Sequence, residues 1–132
     1  MGGAVCIDGG TLNLTNCTIS GNSATFGAAI QNMGTLVCGN SLIAKNTSPD
    51  GSASQDEVDS QSGTLTSLGY NLVGDGTNSG FTNGTNGDIV GTSGSPIDAK
   101  LGPLQNNGGP TQTHALLNGS PAINAGDNTL AV

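Results

Sequence analysis

Four carboxylates, Asp50, Asp56, Glu57 and Asp59, form the densest run of groups in this chain that could do chemistry. Hard cations such as Ca²⁺ take several oxygen ligands, so these four are the candidate calcium residues. Their spacing fits neither the EF-hand loop nor the Gly- and Asp-rich nonapeptide of calcium β-rolls. A solvated acidic loop without a cofactor is therefore the expectation. His114 is the single imidazole. Its neighbours Thr111, Thr113 and Ala115 offer no acid to orient it as a general base, so a structural role is expected. Asp8, Asp75, Asp88 and Asp98 stand singly and suit turns. Gly74-Asp75-Gly76 lacks the lysine and following helix of a phosphate-binding loop. Glycoside hydrolysis needs two placed carboxylates, and none recur at a fixed spacing. These absences predict a chain that is not an enzyme.

The three cysteines have no metal-type spacing, and they cannot all pair with one another. Small buried thiols are expected at Cys17 and Cys38 rather than a disulfide. The formal net charge is −7, and Lys45 and Lys100 are the only cations. Displacing counterions from a polyanion needs Lys and Arg, so nucleic acid is excluded as an expected partner, and an anionic membrane surface with it. No apolar run is long enough to span a bilayer.

The elements that must position these groups follow from a repeat. Gly-Thr-Leu stands at Gly10-Thr11-Leu12, Gly34-Thr35-Leu36 and Gly63-Thr64-Leu65. The first step is 24 residues (10 to 34), and Asn16, Ile19 and Asn22 keep it at Asn40, Ile43 and Asn46. Leu12 and Leu14 alternate with polar residues as in a short strand with one apolar face. Gly21-Asn22 and Asn46 read as turns, and Val5 and Ile30 open two equivalent units. Short strands and bends at this period predict a parallel β-helix in which Thr11, Thr35 and Thr64 stack, Leu12, Leu36 and Leu65 stack, and Asn16 lies over Asn40 as an asparagine ladder. A leucine-rich repeat fits the first unit only, because Ser41 stands where its Asn or Cys belongs. Residues 1–75 are read as the repeats, with an acidic and polar loop at about 47–62. Residues 76–132 are read as loop-rich final turns and a cap, in which Ala115–Leu117 and Pro121–Ile123 cover the end of the core. The opening Met1-Gly2-Gly3-Ala4-Val5 reads as repeat interior, which predicts a piece of a longer protein and self-association through its uncovered first turn.

Gly2-Gly3-Ala4-Val5 and Thr18-Ile19-Ser20-Gly21-Asn22 resemble the repeats of chlamydial polymorphic outer membrane proteins. More closely, the chain resembles bacterial right-handed β-helix proteins of the pectin-lyase-like superfamily, of the choice-of-anchor Q type. That likeness is carried by Gly10–Asn16, by Ser67-Leu68-Gly69-Tyr70-Asn71-Leu72, by Gly102–Thr111 with Thr113–Leu117, and by Gly119–Gly126. The resemblance implies an all-β, right-handed parallel β-helix with an irregular C-terminal cap. It implies a secreted or cell-surface location and a structural stalk or adhesion module, with surface glycans or proteins as partners. The alternative it implies is a carbohydrate-binding or polysaccharide-active β-helix whose site lies elsewhere. The lyases of that superfamily use an Arg base, and this chain has no Arg. Carbohydrate binding would draw on aromatic platforms, for which Phe26, Tyr70 and Phe81 are the only candidates.

Overall fold

A computed structural model of the protein describes residues 2–49 and 57–131. Among them there is no α-helix, and the fold is all-β with mostly parallel pairing. Nine short strands fall into three repeating trios: β1 (Val5–Ile7), β2 (Thr11–Thr15) and β3 (Thr18–Ile19); β4 (Ile30–Asn32), β5 (Thr35–Gly39) and β6 (Leu42–Ile43); β7 (Val58–Asp59), β8 (Thr64–Gly69) and β9 (Leu72–Val73). Each trio gives one strand to each of three parallel sheets, ordered β1-β4-β7, β2-β5-β8 and β3-β6-β9. A tenth strand, β10 (Ile89–Val90), extends the third sheet beyond β9.

The register follows the sequence columns. Thr11 pairs with Thr35 and Thr35 with Thr64, and the same holds for Leu12, Leu36 and Leu65. Val5 pairs with Ile30, and Ile30 with Val58. Close stacking explains the glycine of the repeated phrase. A Cβ on Gly34 would lie 2.7 Å from the Gly10 carbonyl oxygen, and one on Gly63 would lie 2.5 Å from that of Asn32. The step between passes is not constant, because insertions change the loops without changing the columns. It is 24 residues from Thr18 to Leu42, 30 from Leu42 to Leu72 and only 17 from Leu72 to Ile89. The last, shortened pass still stacks on the one before it, since Glu57 N–H donates to the Asp75 carbonyl and Ser60 N–H to that of Asn78.

All three sheets contribute to one apolar cluster. Ile7 and Ile30 come from the first sheet, Leu36 and Cys38 from the second, and Ile43, Val73 and Val90 from the third. Phe81, in the shortened pass, joins them with only 8% of its surface exposed. Burial is deepest in the middle trio, where Ile30, Leu36 and Ile43 have no exposed surface and are covered on both sides.

The C-terminal third behaves differently from the expected cap. β11 (Leu101–Gln105) and β12 (Thr113–Leu116) pair antiparallel around the Asn106–Pro110 turn, with a bulge at Pro103, which has no N–H for the ladder. This hairpin and the chain beyond it pack along the flank of the third sheet. Leu42 and Leu72 form a second apolar cluster with Ala99 and Leu101, against which Ile89 and Ala122 pack. The third sheet is thus covered on both faces. The cause lies in its two-residue strands, Leu42-Ile43, Leu72-Val73 and Ile89-Val90, which offer an apolar side chain to each side. Leu116, Leu117 and Ile123, expected to bury the end of the core, stay exposed by 42–49%.

Candidate functional site

Polar side chains thread the bends between sheets in three columns. At the first bend the chain must turn through left-handed backbone. Asn16 (φ 56°) and Asn40 (φ 52°) adopt it, as asparagine does with little strain. Asn40 Nδ2 donates to Asn16 Oδ1 at 2.6 Å, so the expected asparagine ladder forms, at the surface. Tyr70 (φ 58°) takes the third place in this column, where an aromatic residue is an outlier.

One residue further on, a buried relay runs through four passes. Cys17 N–H donates to Ser41 Oγ, Ser41 N–H to Asn71 Oδ1, and Asn71 N–H to Asp88 Oδ1. Each side chain accepts the main-chain donor of the pass stacked on it, so no donor is left unpaired at the bend.

The third column brings in Glu57. Asn22 sends both its main-chain N–H and its Nδ2 to Asn46 Oδ1, each at 2.9 Å. Asn46 sends the same two groups to Glu57 Oε2, at 3.3 and 2.5 Å. Glu57 is 3% exposed. Burial pushes its carboxyl up to about 7, against the opposing pull of the Asn46 bonds, and Asp75 pushes it further the same way. Beside it lies a hollow of about 250 Å³ lined in part by Lys45, Asp75 and Asp98. Lys45 and Asp98 approach at 3.8 Å, both largely in solvent, and such a pair adds little stability.

Of the four candidate calcium residues, Asp50 and Asp56 lie outside the described residues. Glu57 serves the asparagine column, whereas Asp59, at the end of β7, accepts the Gln61 N–H of the following turn. Among the described residues no three His, Cys, Asp or Glu side chains are grouped to hold a metal ion. The described cysteines are free: Cys6 is exposed, Cys17 half-buried and Cys38 buried. Burial pushes the Cys38 thiol up to about 12, which leaves it protonated and inert.

The larger concavity, about 350 Å³, lies between the first bend, the outer face of the third sheet and the returning C-terminal chain. Tyr70 and His114 face into it from opposite elements, with Thr18 and Leu116 alongside. A Cβ on Gly87 would sit 2.9 Å from the Tyr70 ring, so the glycine makes room for the aromatic face. The chain beyond the hairpin closes one end: Asp127 N–H donates to Asn40 Oδ1, and Asn16 Nδ2 donates to the Leu130 carbonyl. His114, placed by its sequence neighbours in a structural role, does bond Gly102 O through Nδ1 at 2.7 Å, but its ring also lines this groove. In the sequence Tyr70 stands out only as one of three aromatic residues, and the longer step before it hides its place in the Asn16 and Asn40 column. No protein-family model, curated protein or solved structure matches the chain.

Proposed function

We propose that the chain is a segment of a right-handed parallel β-helix and serves as a non-catalytic stalk or adhesion module of a secreted or cell-surface bacterial protein. The observation that carries this reading is the in-register stacking of three successive passes, with Thr on Thr and Leu on Leu in one parallel sheet. Three sheets visited in the same order on three successive passes, around a shared apolar cluster, are what a coil of this kind requires. The right hand follows from the strong preference for right-handed crossovers between parallel strands. The buried polar side chains support a scaffold, because the relay through Ser41, Asn71 and Asp88 and the column through Asn46 and Glu57 are consumed in holding passes together.

The test is incubation of the purified chain with a panel of plant and bacterial polysaccharides, scored by release of reducing ends. The scaffold reading expects none. Release that scales with protein and disappears in Glu57→Gln or Asp75→Asn would overturn it, since those two carboxylates line one hollow.

A further inference from the structure

We infer that the groove between Tyr70 and His114 is a binding site for an uncharged sugar residue of a surface glycan. The argument begins with what lines it. Among the described residues, no Asp, Glu, Lys or Arg lines it. In a chain whose net charge is −7, a groove free of carboxylates is a local exception. A charged ligand would find no counterion there, and burying an unpaired charge is costly, so the ligand is neutral.

The polar groups that remain call for hydroxyls. A main-chain carbonyl only accepts, so the 2.7 Å contact with Gly102 O places the hydrogen of His114 on Nδ1. In the neutral ring Nε2 is then an acceptor, and no described residue bonds it. The Tyr70 and Thr18 hydroxyls likewise make no hydrogen bond with another described residue. These groups offer an acceptor and two donor-acceptors around a cavity with an aromatic wall. A pyranose presents that chemistry in reverse, with equatorial hydroxyls at its rim and C–H groups on its face, which stack on a tyrosine ring. A volume of about 350 Å³ lies at the small end of ligand sites and suits one or two sugar units.

The backbone supplies an independent pointer. At the corresponding bend of the two preceding passes the left-handed position is held by asparagine. Tyr70 accepts strain there, and Gly87 is kept small to seat its ring. Asparagine would serve the bend better, so the tyrosine is explained by what its ring does in the groove. The site concerns only this groove and stands whether or not the chain is a stalk, because binding and polysaccharide cleavage are separate readouts.

The experiment is titration calorimetry of the purified chain with cellotetraose, maltotetraose, chitotetraose and, as the charged control, tetragalacturonate. At least one uncharged tetramer is expected to bind, with tetragalacturonate at least about ten-fold weaker. Tyr70→Asn restores the residue type of the earlier passes, so it keeps the fold and loses at least about ten-fold in affinity. Tyr70→Phe keeps the stacking face and stays within about three-fold of the original. Absence of binding by every uncharged tetramer, equal binding of tetragalacturonate, or a Tyr70→Asn variant that melts normally and binds unchanged would each overturn the proposal.

Discussion

Glu57 stands beneath Asn46 as Asn46 stands beneath Asn22: the same two N–H groups, main-chain and side-chain, converge on one oxygen of the residue below. The register puts Gly76 next in that column, a residue with no side chain to accept anything. Glu57 reaches across from the other corner of its pass and ends the column with a carboxyl group. An amide there would be uncharged at every pH; a carboxyl makes the column titrate.

The first prediction is a pH dependence. An exposed glutamate titrates near 4.5, and Glu57 in the folded chain near 7. Between those values the folded state holds a proton that the unfolded state has lost. Stability from this group is therefore fully present below the lower value, falls as pH rises through the window, and is gone above the upper one. The loss amounts to about 3 kcal/mol. Urea denaturation of the original chain and of Glu57→Gln across the window measures it. The glutamine variant should lack this component, and superimposable pH profiles would refute the assignment.

A second prediction concerns Asn71, which is 1% exposed. Its Oδ1 accepts the Ser41 N–H, and its Nδ2 donates to the Cys38 carbonyl, Ser67 Oγ and Asp88 Oδ1. Asn71→Ala strands the buried Ser41 donor and the Cys38 acceptor, at about 1–3 kcal/mol for each group left unpaired. Asn16→Gly, at the surface and with a residue that takes positive φ freely, should cost no more than about 1 kcal/mol. Equal losses in chemical denaturation would show that burial of the relay is not what makes it matter.

The thiols should separate by reactivity. Cys6 is exposed and should be alkylated rapidly by iodoacetamide. Cys38 has no exposed surface and a thiol pushed up to about 12, so it should react only after unfolding. Peptide mass spectrometry over a time course distinguishes the two. Early modification of Cys38 under native conditions would contradict the packing around Leu36 and Ile43.

β1, β2 and β3 are each the edge strand of their sheet. Open edges of parallel strands are templates for pairing, so the chain is expected to self-associate there. Sedimentation at rising concentration should show it, and Asn13→Lys, a charge on the exposed outer face of β2, should weaken it. A monomer at every concentration would count against pairing through this edge.

The columns that were legible in the sequence are those whose residues repeat in kind. Thr11, Thr35 and Thr64 keep their identity, and so do Leu12, Leu36 and Leu65. Columns that change identity were hidden. Val58 joins Val5 and Ile30, and Tyr70 joins Asn16 and Asn40, but loop insertions and a deletion shift the count, and a period search follows spacing rather than space. Asn22 and Asn46 were legible as turns, though not as inward-facing amides, because asparagine suits both roles. The flanking hairpin leaves its mark in the sequence of the sheet that it covers. Two adjacent apolar residues in three of the four strands of the third sheet, Leu42-Ile43, Leu72-Val73 and Ile89-Val90, announce that both of its faces are covered. The groove depends on that covering, so neither Tyr70 nor His114 could be assigned to it from neighbours along the chain.

The bond from Asn16 to the Leu130 carbonyl joins residues 114 apart, whereas neighbouring strands in the sheets join residues about one pass apart. Local pairing forms early and distant closure forms late. A chain emerging from the ribosome can therefore stack its first three passes while the outer side of the third sheet is still bare. Leu42 and Leu72 stay uncovered until the segment that carries Ala99, Leu101 and Ala122 has been made. During that interval this apolar strip is the surface most open to a chaperone, or to a second nascent chain.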